Sequence, residues 1–273
     1  MSTDLTLPRP VSAPHVVRLE LDTFSGADRP ALAGWFGAVF TDLLAPLCPA
    51  SIEELVAVAR DYMPSDATPW GPPGYARLLL SSGEFTLPSW SAALADLPSF
   101  LRVQLVQLDS QGLPLVEDGW SAEVLLKDDP AFPHQIVVTA SRSLFGGWIF
   151  LVTQQNWLSM FRSGASLTRA CGGWITLDRV GVRTAHEVAV GVGLDESLFM
   201  AAELARGPHW ATLLGPRQVA ALGGVQEVLA SAPCFSVEDL GGGRILLQLT
   251  EHLDDVPDDA MRKLTEFLGP VLH

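Results

Sequence analysis

The chain has 273 residues, 48% of them hydrophobic, and a formal net charge of −14 from 31 acidic and 17 basic side chains. Such an excess of acids repels the phosphate backbone of nucleic acids, so we expect no nucleic-acid partner. The mean hydropathy is high at +0.26, yet no apolar run approaches the ~18 residues of a membrane span. The N-terminal residues also lack the basic and apolar regions of a secretory signal. We therefore expect a cytoplasmic protein without a membrane partner.

Cysteine usage agrees with a reducing compartment. Cys48, Cys171 and Cys234 are scattered through the chain without the Cys-x-x-Cys spacing of a redox or metal site. An odd number of cysteines argues against a disulfide framework. We expect reduced, mostly buried thiols.

The N-terminal part predicts an arm, a strand and two helices. Residues 1–14 contain three prolines and little periodicity, which indicates a flexible arm before a single domain over 15–273. Alternating residues predict a strand over 15–22. Asp28 suits the N-cap of a helix with apolar residues at helical spacing up to Leu47. Ser51 and Glu54 form a capping-box pattern for a second helix to about Tyr62, which a proline- and glycine-rich loop over 63–74 follows.

The middle of the chain predicts mainly β-structure. Its candidate strands are 75–81, 101–109, 120–127, 135–140 and 148–153, and a short helix over 89–96 interrupts them. Short turns between several of these strands favour an antiparallel meander. Beyond it we expect a helix around Trp157 and Phe161, a strand over 174–177 and a helix over 196–205.

The stretch 207–250 has the clearest local organisation. Pro216 suits the first turn of a short helix that Gly223 and Gly224 end, and a second short helix follows. The strands 234–240 and 244–250 flank three consecutive glycines, which indicates a tight hairpin rather than a phosphate-binding loop. A last helix begins at Pro257. The elements together predict an α+β fold with a mainly antiparallel sheet and helices packed on one face, either as one domain or as two similar packed halves.

None of the motifs predicts catalytic, metal-binding or cofactor-binding residues. His186 and Glu187 resemble the start of a zinc-protease motif, but Val190 stands where the second histidine is needed. Gly191 and Gly193 are followed by acids, which repel a dinucleotide pyrophosphate. An enzyme with a dispersed active site stays open as an alternative, and it predicts a deep pocket with several shifted pKa values.

Acidic side chains are the main candidates for contact with a partner. Asp254, Asp255, Asp258 and Asp259 lack the spacing of a calcium loop, and helix capping explains the last two. The group is also a candidate surface for docking a basic protein. Three other acids and one tryptophan are candidates for the same role: Asp128, Asp129, Asp66 and Trp70. Trp70 is alternatively a packed anchor of its loop.

The stretch from Trp210 to Gln248 also resembles a known family. Its order is a Trp followed by Leu-Leu-Gly, a helix ending in Leu-Gly-Gly, a short helix, a strand, and a glycine-rich turn into Leu-Leu-Gln. This order is similar to that of bacterial type VI secretion immunity proteins, long described only as a domain of unknown function. The residues that carry the pattern are Trp210, Gly215, Gly223, Gly224, Gly242 and Gln248, and the likeness extends weakly to 172–178 and 186–187.

The resemblance implies a non-enzymatic cytosolic protein without a cofactor, which neutralises a cognate toxin by direct occlusion. An adaptor or structural component of a secretion or phage-like assembly is the alternative within the same setting. The resemblance supplies structural residues only and assigns no catalytic role.

Overall fold

The computed structural model describes residues 16–24, 29–39, 76–82, 99–107, 120–141, 149–177, 179–180 and 183–273. The predicted arm over 1–14, the helices over 51–62 and 89–96 and the loop over 63–74 lie outside these residues. The single-domain boundary therefore stays a prediction.

The described residues form eleven strands and seven helices. The strands are β1 Val16–Thr23, β2 Ala76–Ser82, β3 Phe100–Gln107, β4 Trp120–Leu125, β5 His134–Ser141, β6 Gly172–Thr176, β7 Arg179–Val180, β8 Arg183–Thr184, β9 Ala211–Leu214, β10 Ser236–Gly241 and β11 Arg244–Gln248. The helices are α1 Arg29–Val39, α2 Ile149–Thr168, α3 Ala185–Val190, α4 Leu194–Phe199, α5 Pro216–Ala221, α6 Val225–Ser231 and α7 Asp258–Leu268. A short 3₁₀ turn, Gly269–Val271, follows α7.

Nine of these strands make one sheet in the order β10-β11-β9-β6-β1-β5-β4-β3-β2. Every neighbouring pair in it is antiparallel. The meander β2–β5 joins the C-terminal strands through β1, which lies between β5 and β6. The predicted α+β class with a mainly antiparallel sheet is confirmed.

Helices cover both faces of this sheet, so the expectation of one covered face was wrong. Leu246 on β11 belongs to the core under α1 and α2, whereas Ile245 and Leu247 belong to the core under α5, α6 and α7. Side chains alternate between faces along a strand. Because three apolar residues follow one another on β11, each face of this strand needs its own apolar cover.

The larger core lies between the sheet and two helices. Trp35 and Phe36 of α1 and Trp157 and Phe161 of α2 are buried there. The Trp35 indole Nε1 donates to the backbone oxygen of Met160 at 2.9 Å, which fixes α1 against α2. The apolar face predicted for the first helix is thus buried in the core over the residues that the structure describes.

Two predicted elements differ from the structure. The apolar run 148–153 was predicted as a strand, but Ile149 begins the 20-residue helix α2. A short apolar run does not distinguish a strand from a segment of a buried helix by periodicity alone. The helix predicted over 196–205 is Leu194–Phe199, and turns follow it.

The hairpin predicted in the C-terminal stretch is confirmed. Gly241, Gly242 and Gly243 have φ of 79°, 63° and 77°. Glycine adopts these angles without the Cβ clash that other residues suffer. The triplet therefore turns β10 into β11.

Candidate functional site

A buried network of charged side chains lies on the face of the sheet opposite α1 and α2. Glu20 on β1 is 0% exposed. Its Oε2 accepts from Arg18 Nε at 2.9 Å and from Arg18 Nη2 at 2.5 Å. Its Oε1 accepts from Gln135 Nε2 at 2.8 Å and from Arg206 Nη1. Both carboxylate oxygens of Glu20 are thus satisfied by side chains.

Arg206 joins this strand to helix α3. Its Nε donates to Glu187 Oε1 at 2.6 Å, and Ser197 Oγ donates to the same oxygen. Thr184 is the N-cap of α3, and Glu187 closes a capping box by accepting from the Thr184 backbone N–H at 2.7 Å. One guanidinium therefore bridges carboxylates that are 167 positions apart in the chain.

Glu187 is buried rather than part of an exposed pair with His186. Glu187 is 0% exposed, whereas His186 is half-buried. Burial lowers the pKa of His186. The Glu187 carboxylate accepts hydrogen bonds from Arg206, Ser197 and the Thr184 backbone. Because it is buried and fully engaged in these contacts, it does not serve as the general base of a zinc-protease motif.

The network contains more acids than bases. Three buried carboxylates, from Glu20, Asp22 and Glu187, face the two guanidinium groups of Arg18 and Arg206. Burial and the charge of Glu20 raise the pKa of Asp22 to about 7. Burial alone raises the pKa of Glu20 as well, but the guanidinium groups hold it below its ordinary value. The excess negative charge is therefore relieved at Asp22, which holds a proton up to about neutral pH.

The aromatic rings of Trp174 and His209 pack beside the network, on the side of strand β9. The guanidinium carbons of Arg18 and Arg206 lie 5.4 Å and 5.8 Å from the centre of the Trp174 ring. The His209 ring lies 5.1 Å from the same ring. Burial and the charge of Arg206 lower the pKa of His209 to about 3, so this histidine is neutral at physiological pH.

A cavity of about 10 Å³ lies beside these groups, and its polar lining includes Asp22, Arg206, His209 and Gln218. Within the part of the chain that the structure describes, Asp22 Oδ1 and His209 Nε2 lack a hydrogen-bond partner. The volume suits one water molecule, whereas small-molecule sites enclose about 300 Å³ or more. The shifted pKa values expected of a dispersed active site are present here, but this cavity leaves no room for a substrate.

Potential metal ligands and thiols also occur in the described residues. No group of three or more potential metal ligands occurs among them. Burial raises the pKa of the Cys171 thiol, and it raises that of Cys234 to about 12. Thiols with raised pKa values are poor nucleophiles at neutral pH. Cys48 lies outside the described residues.

None of the helices that the structure describes combines the length and the apolar character that crossing a bilayer requires.

The acidic residues predicted to contact a partner lie at two opposite ends of the sheet. Asp128 and Asp129 are exposed on the turn before β5, whose first residue His134 pairs with Thr23. The exposed group Asp254, Asp255, Asp258 and Asp259 follows β11, whose last residue Gln248 pairs with Ala211. The register places Thr23 and Ala211 at different ends of the strands. The structure therefore does not bring the two groups together, and Asp66 and Trp70 lie outside the described residues.

Part of the acidic group at 254–259 has a structural role. Asp258 and Asp259 occupy the first turn of α7, where carboxylates interact favourably with the helix dipole. Asp259 Oδ2 accepts from Lys263 Nζ at 3.3 Å, one turn along the helix. Pro257 is the N-cap of α7, and neither aspartate caps it with its side chain.

The residues of the C-terminal pattern support the scaffold. Trp210 is buried, and its Nε1 donates to the Thr250 backbone oxygen at 3.0 Å. Gln248 Nε2 donates to the same oxygen at 3.0 Å. A Cβ on Gly215 would lie 2.0 Å from the Cys171 oxygen, so only glycine fits there. Three further glycines of the pattern have positive φ: Gly223, Gly224 and Gly242.

Comparisons with known proteins agree on the fold only. No family model matches the chain, and no curated protein sequence matches it. A solved structure of the Pseudomonas aeruginosa T6SS protein PA0821 is similar in fold, with a TM-score of 0.51 and 13% sequence identity. The similarity covers 94% of this chain and 73% of that one. At this identity, the likeness establishes a shared fold.

Proposed function

We propose that this protein is a non-enzymatic immunity protein of a type VI secretion system, which binds a cognate toxin in the cytoplasm and covers its active surface. The observation that carries the proposal is the fold similarity, across 94% of the chain, to a protein described as a T6SS protein. The pattern from Trp210 to Gln248 points to the same system independently, because it was recognised in the sequence alone.

The chemistry of the buried network supports binding rather than turnover. Glu20, Arg206 and Glu187 direct their polar atoms at one another. A catalytic group needs to reach a substrate atom within hydrogen-bond distance. The adjoining cavity of about 10 Å³ admits no substrate. These charges stabilise the contact between the sheet and helices α3 and α4.

The charge of the chain supports a protein partner with a basic surface. The net charge of −14 attracts a cationic partner over long distances. Complementary charges at an interface raise the rate of encounter and select the partner more than they raise affinity. Occlusion of a toxin benefits from fast capture.

A component of the secretion assembly is the second candidate. The description of the P. aeruginosa protein names the secretion system and no role within it. An adaptor would bind sheath or scaffold proteins instead of a toxin. The two candidates differ in the partner and share the fold.

Co-expression with the toxin-like gene next to the coding sequence tests the proposal. We expect this protein to restore growth of cells that produce the toxin, and to co-purify with it in a fixed ratio. Absence of both protection and binding would refute the immunity role. Binding to a sheath or scaffold protein, without protection, would establish the adaptor role instead.

A further inference from the structure

An exposed phenylalanine, Phe199, contacts a half-buried one, Phe132, at one end of the sheet. Phe199 ends α4 and is 56% exposed. Its ring meets that of Phe132, on the turn between β4 and β5, edge-on at 6.2 Å between centroids. We name Phe132 and Phe199 the aromatic pair. An exposed apolar patch with a polar rim is typical of a surface that another protein covers.

Acidic side chains flank the aromatic pair on both sides. Asp195 and Glu196 precede Phe199 by four and three residues on α4, which places them beside it on the helix surface. Asp128 and Asp129 occupy the turn with Phe132, whose backbone N–H donates to the Asp129 oxygen at 3.1 Å. All four acids are exposed.

Among the described residues, one lysine lies on the turn with these acids and one arginine contacts the segment before α4. Lys127, beside the acids of the turn, is half-buried. Arg183 is also half-buried, and it donates to the Val192 backbone oxygen at 3.2 Å. The turn 127–132 and helix α4 together thus carry four exposed acids and one lysine.

The buried network fixes the position of helix α4, which carries Phe199. Ser197, on the inner side of α4, is 0% exposed and donates to Glu187, which Arg206 ties to β1. Leu198 beside it is 2% exposed. The inner residues of α4 are thus anchored while Phe199 points outward. An aromatic side chain on an anchored element loses little conformational entropy when a partner binds.

We propose that the aromatic pair and its four flanking acids form the docking surface for the toxin, which presents an apolar pocket rimmed by lysine or arginine. This inference rests on the proposed function and specifies the contact surface that the function requires. Aromatic anchors in the centre of an interface commonly dominate its binding energy, and charged rims govern encounter.

The opposite end of the sheet provides a matched comparison. Phe235 precedes β10 and is 60% exposed, and its backbone N–H donates to the Leu249 oxygen at 3.1 Å. The acids of 254–259 follow the same end of the sheet. Asp259 already pairs with Lys263 there. The two ends thus carry an exposed phenylalanine and acids, but only the end with Phe199 has the anchored aromatic pair among the described residues.

Single substitutions at each end separate the two surfaces. The probe is the purified product of the neighbouring toxin-like gene, titrated against the wild-type protein, Phe199→Ser and Phe235→Ser. We expect Phe199→Ser to weaken binding by about 30-fold or more, as for a hot-spot residue, and Phe235→Ser to change it by less than about 3-fold. Circular dichroism and thermal unfolding confirm that both variants fold, since both side chains are exposed.

Charge substitutions test the flanking acids. Asp195→Asn with Glu196→Gln should slow association by roughly tenfold at low salt and much less at high salt. The matched double variant, Asp258→Asn with Asp259→Asn, removes the same net charge at the other end of the sheet and should slow association much less. In the complex, hydrogen exchange should slow over 128–132 and 195–200.

The outcomes distinguish the docking surface from the function. If the toxin binds Phe199→Ser as tightly as the wild type, the docking surface is wrong and the immunity role stands. Loss of binding in Phe235→Ser alone would place the interface at the other end of the sheet. If the wild-type protein binds no neighbour-encoded protein, the immunity role and the docking surface that rests on it are both refuted.

Discussion

The two faces of β1 bury side chains of opposite chemistry within one strand of eight residues. Val17, Leu19 and Leu21 face the core under α1 and α2, whereas Arg18, Glu20 and Asp22 face the charged network. The members of both rows are at most 9% exposed. The same backbone therefore supports an apolar contact on one side and an ionic contact on the other.

The difference between the faces lies in how each responds to a lost partner. An apolar core responds to a missing side chain in proportion to the cavity that remains. A buried ion network leaves an uncompensated charge when one partner is removed, at a cost that exceeds what the intact network contributes. We infer that the apolar face contributes most of the stability and that the charged face specifies where α3 and α4 dock.

Removal of Arg206 should produce the largest effect on stability. Arg206→Met keeps much of the side-chain volume but leaves Glu20 and Glu187 without their shared guanidinium. We expect a loss of about 4 kcal/mol in the free energy of unfolding, measured by urea denaturation. Arg217 pairs with Glu203 on the surface, with 71% of the arginine side chain exposed. For Arg217→Met we expect a loss of less than about 1 kcal/mol.

Equal losses in the two arginine variants would refute this view of the network. They would mean that the buried guanidinium is as dispensable as an exposed one. A loss for Arg206→Met accompanied by exposure of α4 to hydrogen exchange would show, in addition, that the network holds the surface that carries Phe199.

Truncation on the apolar face of the same strand should cost somewhat less. Leu21 is 0% exposed and lies in the core with Phe161 and Trp35. We expect Leu21→Ala to lower the free energy of unfolding by about 3 kcal/mol, through lost burial and a residual cavity. The loss should be nearly independent of pH, because the described part of this core consists of apolar side chains. A pH-dependent loss would indicate that the two faces are energetically coupled through β1.

Local patterns were sufficient to predict most strands and the C-terminal hairpin. The alternation of 15–22 predicts a strand and the glycine triplet at 241–243 predicts a tight turn, and the structure has both. The apolar run before Trp157 shows where such patterns fail, because length and partner decide between a strand and the start of a helix. Helices on both faces were missed for a similar reason. Consecutive apolar residues on β11 indicate burial on both sides, but they do not identify the cover.

The charged network was not predicted, because its members are separated by long stretches of sequence. Glu20 and Arg206 are 186 positions apart, and only the fold brings them together. One local signal was present. Arg18, Glu20 and Asp22 occupy one face of a strand whose other face is apolar, which by itself fits a solvated face equally well. The position of β1 inside the sheet, between β5 and β6, turns that face into a buried one.

The contributions of Asp22 and His209 to the free energy of unfolding should change in opposite directions as the pH changes. The folded-state pKa of Asp22, about 7, exceeds its ordinary value of 3.8. Its contribution to stability is therefore complete below about pH 4 and is lost as the pH rises toward 7. The folded-state pKa of His209, about 3, lies below its ordinary value of 6.5. Its contribution is complete above about pH 6.5 and is lost as the pH falls toward 3.

Between about pH 4 and 6.5 the two slopes have opposite signs, so the contributions of Asp22 and His209 should nearly cancel in the wild-type protein. Asp22→Asn removes the first slope, and the variant should lose stability on acidification by up to about 1.4 kcal/mol per pH unit. His209→Gln removes the second slope, and this variant should lose stability as the pH rises across the same interval. Urea denaturation at several pH values between 4 and 7 measures all three profiles. Parallel profiles would show that the pKa values of Asp22 and His209 do not differ between the folded and unfolded states. Other side chains would then cause the pH dependence of stability.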